Sequence, residues 1–291
     1  MGKRSTASQT AFGPMVIVAC EQYLPKAQRL IQDDLAMRFL PPAARIVMGA
    51  CRWRWGRRLL MHLAERSSPG GWGGIACRKR YIDERVSDAV AAGLPAVVVF
   101  GAGLDTRVYR LVAPTGVHAY EVDLPANIDY KQERMRALYG GVSEQVTLVP
   151  VDFEIDDLGV ALATKGFRIE QATMFVWEGV TQYLTEDGVR KTLAFLSKAG
   201  VGSRMVFTYV RKDFLDGIKS YGDEKIYQRF VQGGVWHFGI APEAVGDLLR
   251  EYGWTEREQA GRSEFAARYI EPTGRDVPVF EIERCVYAEK F

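Results

Sequence analysis

Histidine and cysteine are scarce in this chain of 291 residues, with three of the former and four of the latter. Cys20, Cys51, Cys77 and Cys285 include no C-x-x-C pair and the histidines lie far apart, so no zinc signature exists and no metal is expected. Four scattered cysteines suit a reducing, cytoplasmic setting, where thiols act as small apolar residues. No uninterrupted apolar run approaches the roughly 18 to 20 residues that cross a bilayer, and no membrane partner is expected. Internal repeats, low-complexity tracts and a G-x-x-x-x-G-K-[ST] phosphate loop are all missing. What remains is 47 % hydrophobic and 25 % charged, an ordinary globular balance. A chain of this length buries a large core without disulfide or metal staples.

The formal charge of +2 makes no case for nucleic acid, but the charges are unevenly placed. Residues 1–80 hold 14 Lys/Arg and 4 Asp/Glu, and the remainder holds 24 and 32. We read a basic N-terminal layer packed on an acidic body; the alternative is a surface for phosphate, membrane or an acidic ligand. Lys3 and Arg4 precede a short apolar stretch that runs into Cys20, in the manner of an export signal. Gly13 and Pro14 interrupt it and a helical pattern follows at once, so it reads as the start of the fold.

Met15 to Phe39 reads as helix stopped by Pro41-Pro42, and Ala43 to Glu65 continues helically. The run Ser67-Ser-Pro-Gly-Gly-Trp-Gly-Gly74 predicts a linker, a hinge between an N-terminal helical layer (1–74) and the main body (75–291). Ile82, Val86 and Val90 then share a helix face that Gly93-Leu94-Pro95 ends. Ala96 to Phe100 is a continuous apolar run, the pattern of a strand buried on both faces. Further strands are expected at Val117 to Val122, Val146 to Val151, Met174 to Trp177, Arg204 to Tyr209 and within Val279 to Ala288. Helices are expected from Pro125 to Leu138, from Thr185 and from Pro242. Alternating strands and helices predict an α/β fold, a doubly wound, mostly parallel, Rossmann-like sheet.

The chemistry gathers where the first strand meets Gly101-Ala-Gly103. Two glycines there tolerate positive φ and leave room for an adenosine or amino-acid moiety. Twenty residues on, Glu121-Val-Asp123 ends the second strand with carboxylates able to accept from both ribose hydroxyls. Thr106 occupies the position where a dinucleotide fold wants Gly or Ala, and Asp105 precedes it. An anion is a poor neighbour for pyrophosphate but suits a ligand carrying an amine and a sulfonium. The turn therefore favours S-adenosyl-L-methionine over NAD or ATP.

Gly101-Ala-Gly-Leu-Asp-Thr-Arg-Val-Tyr-Arg-Leu111, Tyr120-Glu-Val-Asp-Leu-Pro125 with Lys131, and Trp177-Glu-Gly-Val-Thr-Gln-Tyr-Leu184 resemble the leucine carboxyl methyltransferase superfamily, in particular its bacterial branch of polyketide-type O-methyltransferases. Arg29-Leu-Ile-Gln-Asp-Asp-Leu-Ala36 and Arg78-Lys-Arg-Tyr-Ile-Asp83 extend the likeness over residues 10–210. The resemblance implies a class I methyltransferase fold with S-adenosyl-L-methionine as donor and S-adenosyl-L-homocysteine as product. By motif position, Arg78 would hold the donor carboxylate, with Arg80 as understudy because Lys79 stands where relatives often have Thr. Gly101 and Gly103 would line the methionine part, Asp123 the ribose, and Asp152 with Phe153 the adenine. Glu178 would lie near the transferred methyl. Residues beyond 210, to about 275, would shape the acceptor pocket.

Each of these residues also has a plain reading: a solvated helix start for Arg78 and Arg80, a turn cap for Asp152, a structural acid for Glu178. Tyr183 reads as core, His62 and His118 as surface or packing residues. Glu178 and His237 are the two candidates for a general base. An ionised carboxylate acceptor needs none, whereas a phenol benefits from one. The expected partner is a small-molecule acceptor, carboxylate or phenol. Arg52, Arg54, Arg57 and Arg58 with the adjacent tryptophans form a candidate lid over it, or a solvated helix face. Rival readings are methylation of a protein C-terminal carboxylate, a nucleotide-binding module without turnover, and an NAD-dependent oxidoreductase.

Overall fold

The computed structural model describes residues 12–291, and the reading of Lys3 and Arg4 lies outside them. Seven strands form one sheet in the order β3-β2-β1-β4-β5-β7-β6. They are β1 (Ala96–Phe100), β2 (His118–Asp123), β3 (Val146–Pro150), β4 (Thr173–Trp177), β5 (Arg204–Val210), β6 (Trp254–Ala260) and β7 (Glu283–Lys290). The first five run parallel, with Phe100 level with Val122 on one side and Trp177 on the other. β7 enters antiparallel between β5 and β6. β1 and β4 are buried along their whole length, as strands covered by helices on both faces must be. Chain order reverses between β1 and β4, which opens a crevice at their carboxyl ends.

The connecting helices follow the local signals closely. Pro125 opens one that runs Pro125–Tyr139 and ends at Gly140 in the left-handed region. Thr185 caps Glu186–Leu196, its hydroxyl accepting from the Gly188 N–H at 3.1 Å. β6 escaped the sequence reading because Glu256, Arg257 and Glu258 hide its alternation. It is an edge strand, and charges there deter pairing with other chains. The strand expected from Val279 begins only at Glu283.

Three expectations for the N-terminal layer need correction. The helix read from Met15 to Phe39 is α1 (Phe12–Glu21), followed by extended chain and a short turn at Ala36–Phe39. Pro25 forces Leu24 out of the helical region, and the Arg29 guanidinium satisfies the freed Gln22 and Leu24 carbonyls at 2.7 and 2.8 Å. The second stretch divides into α2 (Pro42–Met48) and α3 (Arg54–Ser67) around a turn at Gly49–Arg52. The glycine-rich run is no exposed linker. It opens α4 (Gly71–Ala91), and Trp72, Gly73 and Gly74 are buried. A Cβ on Gly73 would lie 2.3 Å from the Pro278 carbonyl oxygen and one on Gly74 2.5 Å from the Phe280 ring. These glycines serve close packing, not flexibility.

Layer and body share one core, in which Val18, Leu30, Phe39 and Trp72 join Val97, Val176 and Val206. Glu21 pins them together. Fully buried, it accepts from Trp72 Nε1 at 2.8 Å, Leu30 N–H at 2.9 Å, and both terminal nitrogens of Arg275 at 2.8 and 2.9 Å. Removing one partner of a buried pair leaves the other charge uncompensated. Arg275→Ala is therefore expected to cost about 3 kcal/mol in urea denaturation, with Arg275→Lys recovering only part because a point charge cannot bridge both oxygens.

Candidate active site

β1 delivers the chain into a bend that only glycine can make. Gly101 and Gly103 adopt φ of 65° and 44°, and a Cβ on Gly101 would sit 2.1 Å from a Val180 methyl. The Gly101 and Ala102 amides donate to the Val122 carbonyl at 2.8 and 3.1 Å, holding the bend beside the end of β2. There Asp123 Oδ2 accepts from the Gly103 N–H at 2.6 Å, while Oδ1 accepts from Leu124 N–H at 2.7 Å and Asn127 Nδ2 at 2.8 Å. Burial nonetheless pushes the Asp123 carboxyl above the ordinary range. An anion left under-compensated in this way is one that two hydroxyl donors would stabilise. A glycine bend beside a carboxylate at the end of β2 fits an adenosyl ligand.

Beside the bend lies a buried network of charge. Arg78, on α4, puts Nε on Glu178 at 2.9 Å and NH1 on both oxygens of Glu283 at 2.8 and 2.9 Å. Arg107, just past the bend and 1 % exposed, divides its guanidinium among Asp83 at 2.7 Å, Asp105 at 2.6 Å and Glu178 at 2.9 Å. Lys79 lies 3.3 Å from Glu178 and 3.8 Å from Asp105. Arg110 continues the chain from Asp83 at 2.8 Å to Asp33 at 3.3 Å. Four cations thus face five carboxylates, a balance that tolerates a ligand of net positive charge.

This environment decides what Glu178 can do. Burial alone would raise its carboxyl, but Lys79, Arg78 and Arg107 hold it well below the usual carboxylate range. Held in this way as an anion, it is a poor proton acceptor, which weighs against its reading as a general base. Asp105 is likewise held low against burial by Arg107 and Lys79, its two oxygens taken by the Arg107 amide and guanidinium.

Other expected site residues are scattered. Glu121 is wholly buried, 2.5 Å from Lys131 Nζ and 2.9 Å from the Tyr109 hydroxyl, and Lys131 also donates to the Asp105 carbonyl at 2.8 Å. Arg80 faces outward, paired with Glu84 at 3.1 Å and laid over the Tyr269 ring, in a groove of about 530 Å³ between residues 26–32, α4 and 268–273. That groove lies off the strand ends, and its Arg80, Arg110 and Arg268 are already paired with Glu84, Asp83 and Glu258. Asp152 closes a turn by accepting from the Glu154 N–H at 3.1 Å, and Phe153 packs edge-on against Phe100 in the core. His237 is exposed, on a loop tied to the β4 end through its own N–H on the Gln182 carbonyl at 2.7 Å. No contact among the described residues joins Arg52, Arg54 or Arg58 to the cluster. Sequence reasoning missed Arg107, Glu283 and Asn127. Arg107 had a signal, its place in the run Asp105-Thr-Arg behind the bend; Glu283, 205 positions from Arg78, had none.

A family model described as leucine carboxyl methyltransferase matches residues 11–197. A protein of Mycolicibacterium paratuberculosis described as a "putative S-adenosyl-L-methionine-dependent methyltransferase" is 36 % identical over 164 residues, covering 53 % of this chain and 52 % of that one. One of the same description from Frankia alni is 30 % identical over 203 residues, covering 69 % of each. The matched region spans about half the length of the first of these curated relatives. A crystal structure of a "putative methyltransferase" from Thermobifida fusca has a TM-score of 0.59 at 15 % identity, covering 81 % of this chain and 88 % of that one, which shows the shared class I fold.

The Glu121–Lys131 pair makes a pH-dependent test. Burial pushes Glu121 up to about 7 even with Lys131 beside it. Lys131→Met raises it further above its unfolded value. The stability that a raised acid contributes is present below pH 4 to 5 and lost as pH climbs through the folded value. The variant's deficit should therefore stay nearly constant up to pH 7 and then grow by up to about 1.4 kcal/mol per pH unit, reaching about 1.4 kcal/mol at pH 8 in chemical denaturation.

Proposed function

The chain belongs to the leucine carboxyl methyltransferase family, and from that premise we propose that it transfers a methyl group from S-adenosyl-L-methionine to an oxygen of a small-molecule acceptor. The observation that carries the reading is Asp123 standing across the Gly101–Gly103 bend at the switch between β1 and β4. Asp123 would take the ribose hydroxyls and the bend would pass the methionine part. Arg78, whose guanidinium faces Gly179 beside the bend, is preferred to the outward-facing Arg80 for the donor carboxylate. Asp152 and Phe153, at the end of β3, would flank adenine.

The donor supplies a methyl on a sulfonium, a group displaced in line with an excellent leaving group. The protein's task is to align and to exclude water, which a rigid, fully paired cluster does without reorganising. Glu178 is a fixed anion beside the positive centre. Glu178 is locked by cations and His237 is exposed, so neither candidate stands as a buried base. The acceptor is then one that arrives ionised: a carboxylate, or a phenol acidified by its own ring system. This supports reading the chain's activity with that of the polyketide-type O-methyltransferases.

Titration calorimetry tests the donor site. Asp123→Ala should weaken S-adenosyl-L-homocysteine at least about tenfold while still unfolding cooperatively, at a melting temperature lowered because Gly103, Leu124 and Asn127 lose their acceptor, and NAD should not bind. Retained affinity would sink the assignment; donor binding without turnover on a broad panel of acids and phenols would return the chain to a binding module. For a carboxylate acceptor, kcat/KM should be flat from about pH 6 to 9 and His237→Ala should change it less than about threefold.

A further inference from the structure

The arginines of the buried network are paired with carboxylates; most of those on α3 are not. Residues 35–64 contain six arginines and no Asp or Glu. Arg45, Arg52, Arg54, Arg58 and Arg66 are exposed, and no described carboxylate pairs with any of them. Arg57 alone is used structurally, donating to the Cys51 and Arg52 carbonyls.

α3 packs with Gly56, Leu60, Met61 and Ala64 toward the core. Its other side carries a second apolar stripe. Trp55, Leu59 and Leu63, spaced i, i+4, i+8, are each more than half exposed, as are Trp53, which stacks on Trp55, and Ile46 and Val47 of α2. Arg54, Arg58 and His62 form the adjacent row. A helix with tryptophan and leucine along one strip and arginine along the next is built for the boundary between lipid headgroups and acyl chains.

Charge complementarity selects among occupants. A second copy on a two-fold axis would set arginines against arginines. The chain's own first eleven residues carry Lys3 and Arg4 and no carboxylate. Nucleic acid would use the arginines and indoles but gain nothing from Ile46, Val47, Leu59 and Leu63. An anionic bilayer uses both sets. No described helix is long and apolar enough to cross a membrane, and a helix lying in the interface needs no such length.

We propose that α3, with Ile46 and Val47 of α2, is a peripheral docking surface for an anionic lipid bilayer, with Trp55, Leu59 and Leu63 inserted and Arg54, Arg58 and Arg66 on lipid phosphates. The Lys225 ammonium donates to the Arg66 carbonyl at 2.8 Å, so the surface is tied to the segment following β5 and would hold the molecule at one attitude. This stands apart from the methyl-transfer reading.

The full chain is to be sedimented with phosphatidylcholine vesicles, alone and with about 30 % phosphatidylglycerol. Expected are binding to the anionic vesicles at least about tenfold tighter than to neutral ones, a loss of about tenfold on raising NaCl to about 0.5 M, and a blue shift of tryptophan emission. The exposed triple variant Trp55→Ser, Leu59→Ser, Leu63→Ser should lose binding at least about tenfold at an unchanged melting temperature. Arg54→Gln with Arg58→Gln should lose the preference for anionic lipid. The proposal is overturned by no vesicle binding, by equal binding of the variants, by single-stranded RNA bound in place of vesicles, or by a dimer that the triple variant dissolves without any vesicle binding.

Discussion

Arg107 is the constraint on which the site depends. In a low-dielectric interior an unpaired charge is intolerable, and this guanidinium meets three carboxylates from three parts of the chain: Asp83 of α4, Asp105 of the bend and Glu178 at the end of β4. A lysine could not do this, because one ammonium cannot present donors along three fixed directions in a plane. The geometry of the bend is thus not left to its glycines. They permit the turn; Arg107 and the Asp123–Gly103 hydrogen bond decide where it stands. Such a network contributes little net stability, since desolvation offsets most of its Coulomb energy. What it provides is a site whose dipoles and charges are already in place before a ligand arrives.

The same network reaches outward to the N-terminal layer. Asp83 also holds Arg110, Arg110 faces Asp33, and Asp33 accepts from the Thr106 hydroxyl at 2.5 Å, which returns the chain of contacts to the bend. Glu21 makes a second tie through Trp72 and Arg275. Layer and sheet are therefore coupled by buried charge at two places as well as by shared apolar core. The basic N-terminal excess is only partly absorbed in this way. Arg78, Lys79 and Arg29 turn inward to carboxylates or carbonyls, while the arginines of α2 and α3, Arg57 apart, do not.

Local signals carried most of the fold. Ala96 to Phe100 was legible because a strand buried on both faces has no polar alternation to obscure it. Thr185 and Pro125 were legible because capping is settled within four residues. The errors came where distant groups outvoted local ones. The run from Ser67 to Gly74 looks like a linker until Pro278 and Phe280 press against it, and then each glycine is a packing requirement. In the site, Gly101, Gly103 and Asp123 could be found from spacing, since strand, bend and acid follow in order. Glu121 and Asp123 could not be told apart in advance, because the partner that takes Glu121 inward, Lys131, sits ten residues on in the next helix. Glu283 and Arg78 meet only through the antiparallel entry of β7, which nothing local announces.

The distribution of pairing separates two kinds of surface. Inside, cations hold both Glu178 and Asp105 as anions, which supports the proposal that chemistry there rests on alignment and on an acceptor that comes already acidic. Selectivity then lies in what reaches the strand ends. Outside, α3 spends its inner side on the core and keeps tryptophan, leucine and arginine in water, an arrangement that no contact within the described chain rewards. Exposed apolar residues scattered singly require no explanation, but a stripe repeated at helical spacing beside unpaired cations does. The interior satisfies its arginines with its own carboxylates. The one carboxylate of α3, Glu65, is taken by the Gly70 N–H, so the anions that complete the arginine row come from elsewhere, together with an apolar phase for Leu59 and Leu63. A ligand with both properties is amphiphilic, and a methyltransferase acting as proposed above would gain from being held where amphiphiles collect.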